Sequence, residues 1–252
     1  MQLPDVNIYG TTFFDHGSTY LGLLQDAFFV ISYLSLNWGL FQGGAQKAFG
    51  ISAKTQCLYA LAYTFRLVEY YPYDHWSYDL LKCIVFSIFL WFSFASINFF
   101  SPGCDHDCNK VDTFWLHFTV GLTSVIAYAK GYDHLPTTGR IYFWAWCNYL
   151  EGVAILPQMW LLLNFKRRDL ISKGIWLGLH FMTVSRVFQL LHWTFLHYDQ
   201  EMLDKVAVAS AVFHVAVYFL FQITLILKDT IKSKPEMTLP VTEPSDGDTL
   251  SS

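Results

Sequence analysis

The sequence predicts an all-α, polytopic membrane protein: seven transmembrane helices, arranged as two three-helix repeats joined by a linker helix. Three observations carry that expectation. Apolar residues make up 54% of the 252 and aromatics 19%, while charged residues are 14%, against about 25% in an average soluble domain. Seven apolar segments come close to the roughly 20 residues that a membrane-spanning helix needs. A pair of landmarks also recurs at a fixed offset. Ile51-Ser52 precedes Arg66 as Ile171-Ser172 precedes Arg186, each 120 residues apart.

The elements follow in order. Residues 1–20 hold no Lys or Arg and no long apolar run. They do not read as a signal peptide, so the first helix, Leu21–Phe41, is expected to direct insertion. The second, Gln56–Tyr71, is the least apolar because it carries Arg66 and Glu69. Leu80–Phe100 is the third and closes the first repeat. Thr113–Ala129 is the fourth, the linker. Arg140–Leu163 carries Glu151, Gly174–Leu196 carries Arg186, and Leu203–Leu227 completes the second repeat. The membrane domain is thus expected over residues 21–232. Residues 233–252 lack apolar periodicity and read as a disordered cytosolic tail.

Orientation follows from Lys and Arg, which accumulate on the cytosolic side. One side collects Lys47, Lys54, Lys110, Lys166, Arg167, Arg168, Lys173 and the lysines after the last helix. The other has Lys82, Lys130, Arg140 and Lys205, all near helix ends. The N-terminus is therefore expected in the lumen and the C-terminus in the cytosol. Lys232 and Lys234 fit either a coat-recognition signal or a basic stop behind the last helix.

Other classes are excluded by composition and motif. A net charge of −4 and the lack of a basic stripe argue against nucleic-acid binding. Five cysteines, three of them inside apolar runs, do not make a disulfide scaffold. Cys104-Asp-His-Asp-Cys108 falls short of the four ligands at recognised spacing that a zinc site uses, so no metal and no cofactor are expected. Phosphate loops, nucleophile elbows and paired metal-binding histidines are missing from the sequence, which gives no indication of an enzyme.

The chemistry lies in charges inside the spans: Arg66, Glu69, Glu151 and Arg186. Each costs at least ~2.5–3.5 kcal/mol at the bilayer centre. By helical rise, Arg66 sits roughly 15 Å, Arg186 roughly 18 Å and Glu151 roughly 16 Å into their helices, a common depth. Two guanidinium groups suit a carboxylate, which they grip bidentately. The competing reading is that Glu69 and Glu151 neutralise the arginines and only hold the bundle. Gln189 and Trp193, three and seven residues past Arg186, share its helix face, and Trp144 shares the face of Glu151. Of His117, His180, His192 and His214, His192 is the nearest in sequence to Arg186 and the candidate proton switch.

Three stretches resemble the KDEL receptors, the ER lumen protein retaining receptors. Gly50-Ile51-Ser52-Ala53-Lys54-Thr55-Gln56, continuing to Arg66, is similar to their first loop and second helix. Tyr149-Leu150-Glu151-Gly152-Val153-Ala154-Ile155-Leu156-Pro157-Gln158 is similar to the fifth helix almost residue for residue. Ser185-Arg186 through His192-Trp193 resembles the sixth, and Asp112-Thr113-Phe114 fits the start of the fourth. The resemblance implies a fold related to SWEET transporters and PQ-loop proteins. It also implies a lumen-facing cavity for the C-terminal tetrapeptide of escaped ER proteins, acid-promoted binding in the Golgi, and return to the ER by coatomer. Carried over by position, Arg66 and Arg186 are the cavity arginines and Glu151 the buried acid. Trp144 and Trp193 line the peptide, and Asp204 meets its basic residue. Glu69, Gln189 and His192 complete the candidate ligand-binding set.

The sequence departs from the family at Leu67, Ser185 and Gln189, where the family has tyrosines. It departs also at Ile141, where a second acid is usual, at Ile31 for the first-helix His, and at Leu220 for the seventh-helix Asp. A counterpart of the first-helix Arg is missing. The ligand is thus expected to be a KDEL- or HDEL-like signal or a variant of it. The other readings are a transporter of a small anionic metabolite on the same scaffold, and an orphan trafficking protein without a peptide ligand.

Overall fold

The computed structural model describes residues 16–41, 50–70, 78–100, 114–131, 139–165, 171–200 and 205–233. Among these residues there are eight helices and no strand: α1 (His16–Phe41), α2 (Ala53–Tyr70), α3 (Tyr78–Phe100), α4 (Leu116–Gly131), α5 (Gly139–Val153), α6 (Leu156–Asn164), α7 (Lys173–Gln200) and α8 (Lys205–Ser233). Their bounds agree with the seven expected segments to within six residues, with one difference. The expected fifth span is two helices, α5 and α6. Pro157 is the cause. Its ring nitrogen has no hydrogen to donate to the preceding turn, so the helix restarts there, with Pro157 in its first turn and Ile155 still in the right-handed region.

The two repeated Ile-Ser landmarks do the same local work. Ser52 accepts a hydrogen bond at Oγ from the Thr55 N–H (3.3 Å) and Ser172 one from the Gly174 N–H (3.1 Å), so each caps the helix it opens. Ile51 and Ile171 are both buried. Gly50 turns the chain into α2 at φ +91°, a left-handed conformation open to glycine, and its Cα faces Ile171 and Ile175. The restart at Pro157 delivers Gln158, fully buried, to this turn. Its Oε1 accepts from the Ser52 N–H at 2.8 Å, and its Nε2 donates to the Gly50 carbonyl.

Helix α1 packs chiefly on α7, and α2 on α3 and α5. Helix α4 leans on α5, while α8 contacts both α5 and α7. The α1–α7 contact is made by backbone. A methyl group on Gly174 would lie 2.6 Å from the Ser35 carbonyl oxygen, and one on Gly178 would lie 2.9 Å from that of Ser32. Glycines four apart are the small-residue pattern by which helices approach closely in membranes.

The distribution of side chains is the reverse of a water-soluble protein. Glu151, Gln158, Arg186, Gln189 and His214 are buried. Ile88, Phe92, Phe118, Val125, Phe219, Ile223 and Ile226 are exposed on α3, α4 and α8. Large apolar side chains outside and polar ones inside are what a helical membrane protein requires. Two segments, Leu80–Asn98 and Lys205–Lys228, are apolar enough along their length to be recognised as spans by hydropathy alone. Charged and amide side chains on α2, α5 and α7 lower the mean of those helices. An outer groove of about 720 Å³ between α4, α5, α6 and α8, lined by residues such as Phe118, Leu122, Trp160 and Phe213, contains no charged residue.

Candidate functional site

Arg66 and Arg186 each stand thirteen residues past the first residue of their helices, Ala53 and Lys173. At 1.5 Å per residue both are carried roughly 20 Å along the axis. Glu151, near the end of α5, reaches the same level from the opposite direction. Its Oε2 lies 3.1 Å from Arg66 Nη2 and 3.0 Å from Arg186 Nη1. One carboxylate oxygen therefore serves two guanidinium groups.

Amide side chains complete the first ring of contacts. Arg186 Nη1 also donates to Gln189 Oε1 at 2.7 Å, and Arg66 Nη2 donates to Asn148 Oδ1 at 3.2 Å. Asn148 is held in turn by its own Nδ2, which donates to the Trp144 carbonyl at 2.9 Å. Ser210 of α8 fixes the backbone of this stretch by donating to the Asn148 carbonyl at 2.5 Å. The Arg66 guanidinium carbon lies 5.7 Å from the centre of the Tyr63 ring, a cation–π distance. Tyr59 donates to Met182 Sδ at 3.1 Å below.

Two positive charges and one negative charge leave a surplus of one positive charge in a buried place. Arg186 and Glu151 side chains are each 3% exposed and Arg66 is 19% exposed, so the centre is reached from the Arg66 side. Several polar atoms have no hydrogen-bond partner: Arg66 Nε, Arg186 Nε and Nη2, and Glu151 Oε1. Buried guanidinium N–H groups without acceptors strongly favour an incoming anion that supplies two oxygens.

The other expected site residues divide. Gln189 is a direct partner of Arg186. Trp144 contributes its carbonyl to the Asn148 contact and lies two turns before Glu151. His192 sits with its ring edge against Trp193, centroids 5.7 Å apart, and faces α1 at Gly22, whose added methyl would be 3.8 Å from the His192 ring. It therefore packs between α7 and α1. The Glu69 side chain, Asp204, Cys104–Cys108 and the basic residues 166–168 lie outside the described residues. Among the described residues no group of three His, Cys, Asp or Glu is placed to hold a metal.

Sequence reading passed over Asn148, Asp26 and Lys82 as site residues, and weighed His214 but preferred His192. Asn148 was within reach of the same argument, three residues before Glu151 on one helix face. Asp26 and Lys82 pair across α1 and α3, Nζ lying 3.1 Å from Oδ2 and 3.3 Å from Oδ1. His214 is fully buried on α8 with neither ring nitrogen hydrogen-bonded.

Helices with an inward charge centre and an apolar exterior are those of a helical membrane protein. Residues 47–196 match the ER lumen protein retaining receptor family. Similar proteins include ER lumen protein-retaining receptor 3 of Xenopus tropicalis, 28% identical over 193 residues, 76% of this chain and 86% of the relative. ER lumen protein-retaining receptor 2 of Homo sapiens is 28% identical over 191 residues, 74% of this chain and 85% of the relative. The matched stretch is more than half of the chain and contains Arg66, Glu151 and Arg186, and the chain belongs to the ER lumen protein retaining receptor family.

Proposed function

We propose that the protein is a membrane receptor for C-terminal retrieval signals of ER lumenal proteins, binding them in the Golgi and returning them to the ER. The observation that carries this is the sharing of Glu151 Oε2 by Arg66 and Arg186, which leaves one positive charge and several unpartnered N–H groups. A terminal carboxylate supplies the charge and the two oxygens that those groups lack. Ligand access on the Arg66 side fits an N-terminus in the lumen, because α1 begins, α2 ends and α3 begins on that side. The excess of Lys and Arg at the opposite side supports a cytosolic C-terminus. The basic residues of 166–173, with Lys232 and Lys234, are proposed to serve coatomer there. Trp144, Trp193 and Asp204 are proposed to line the rest of the peptide, with Glu69 beside Arg66.

The two-repeat architecture is supported by neighbour relations. Exchanging α1 with α5, α2 with α7, and α3 with α8 turns the α1–α7 contact into α5–α2 and the α2–α3 contact into α7–α8, all of them present. Such a pseudo-two-fold also serves alternating access, and that favours the anion transporter as the second reading.

The test is direct binding to the purified, detergent-solubilised protein. Peptides ending in Lys- or His-Asp-Glu-Leu are expected to bind, and the same peptides with amidated C-termini are not. Equal binding of both forms, or of neither, removes the carboxylate receptor. Uptake of small anions into proteoliposomes in its place would establish the transporter.

A further inference from the structure

The Asp26–Lys82 pair is part of the same charged field as the arginines. Ser185 Oγ donates to the Gln25 carbonyl at 2.8 Å, which sets the α1 residues 25–26 level with Ser185-Arg186 of α7. On α3, Lys82 lies about one turn from the start, as Arg66 lies one turn from the end of α2 on the same side. Its chain neighbour Cys83 is within electrostatic reach of Arg66, Lys82 itself of Glu151, and Asp26 of Tyr63. The field thus contains three cations, Arg66, Lys82 and Arg186, and two anions, Asp26 and Glu151.

The two ion systems differ in burial. Glu151 is sealed between its arginines, but Asp26 and Lys82 are each 17% exposed. The Asp26–Lys82 pair is partly buried and keeps contact with water, so Asp26 stays hydrated when the pair opens. Both oxygens of Asp26 face the Lys82 ammonium, as an incoming carboxylate would.

We infer that Lys82 is a third ligand-reading cation, and that Asp26 occupies it in the empty receptor until an acidic side chain of the ligand takes its place. This rests on the receptor reading above and adds the residue that selects for an acidic side chain beyond the terminal carboxylate. Asp26 is a competitor of the ligand. Its removal therefore strengthens binding, whereas a merely structural latch would weaken it.

The experiment measures binding of peptides ending in Lys-Asp-Glu-Leu, Lys-Asn-Glu-Leu and Lys-Asp-Gln-Leu to wild type, Lys82→Met, Asp26→Asn and the double variant D26N/K82M. Wild type is expected to prefer one acidic form over its amide by about tenfold, a typical span for one charge-assisted contact. Lys82→Met and the double variant lose that preference, with the amide peptide changed less than about twofold. Asp26→Asn raises affinity for the acidic form several-fold. The double variant leaves no unmatched charge, so it gives an answer even if Lys82→Met folds poorly. Equal weakening of all three peptides, or a preference that survives the loss of Lys82, overturns the inference while leaving the receptor standing. If wild type binds none of the peptides, the receptor reading falls and this assignment with it.

Discussion

Arg66 and Arg186 hold one oxygen of Glu151 between them, at 3.1 Å and 3.0 Å, from equivalent positions on two helices that both open with an Ile-Ser pair. The centre is therefore under-neutralised by construction. An acid that serves two bases equally cannot fully satisfy either, and the spare charge stays available while the bundle is held together.

Glu151→Gln keeps the shape and removes the charge. Two guanidinium groups are then left buried with no counter-ion, and breaking a buried pair in this way costs about 3–5 kcal/mol. The variant is expected to melt well below wild type in a detergent thermal-unfolding assay. A peptide with a free C-terminus should restore part of the loss by standing in for the missing carboxylate, so its stabilising shift is larger in the variant than in wild type. A normal melting temperature for Glu151→Gln would show that the arginines are neutralised by another group.

Arg186→Lys keeps the charge and loses the fork. Arg186 Nη1 donates to both Glu151 Oε2 and Gln189 Oε1 while Nε and Nη2 remain open. A lysine ammonium cannot hold those two acceptors and also present a planar pair of donors to a carboxylate. Peptide affinity is expected to fall at least about tenfold, equivalent to 1.4 kcal/mol, and Arg66→Lys should behave alike. Affinities retained within twofold in both lysine variants would reduce the site to simple charge attraction.

Much of this was legible in the sequence, and the exceptions have physical causes. The helical segments could be placed because lipid demands apolar residues on every outward face. Arg66, Glu151 and Arg186 stood out because charges within spans are costly, and Gln189 because it lies three residues from Arg186. The sharing of Glu151 was not readable, since Glu69 is the nearest acid to Arg66 in sequence and contacts across helices leave no periodic trace. Asp26 and Lys82 fall inside predicted spans and satisfy the same criterion as the arginines, but a position near a helix end made Lys82 look like a boundary residue. His192 was favoured for its nearness to Arg186 along the chain. His192 also lies beside Gly22 of α1, and His214, distant in sequence on α8, is within electrostatic reach of Arg186, a relation that spacing along the chain does not show.

The close α1–α7 contact gives the last prediction. Gly178 sits where an added methyl would be 2.9 Å from the Ser32 carbonyl and 3.0 Å from Leu36 Cβ and N. Both are parts of a helix that cannot shift locally without moving as a rod. Gly178→Ala must therefore push α1 off α7, and overpacking of this kind costs about 1–3 kcal/mol. The displacement also draws Gln25 away from Ser185, its hydrogen-bond donor one residue before Arg186, so peptide affinity should fall along with the melting temperature. Gly121 is the matched control. It lies in α4, with nothing within 4 Å of its added methyl, and Gly121→Ala should leave both unchanged or raise the melting temperature slightly, alanine being the better helix former. If Gly178→Ala matched Gly121→Ala in both readouts, α1 would not be held against α7 at this distance, and the position of Asp26 relative to the arginines would have to be redrawn.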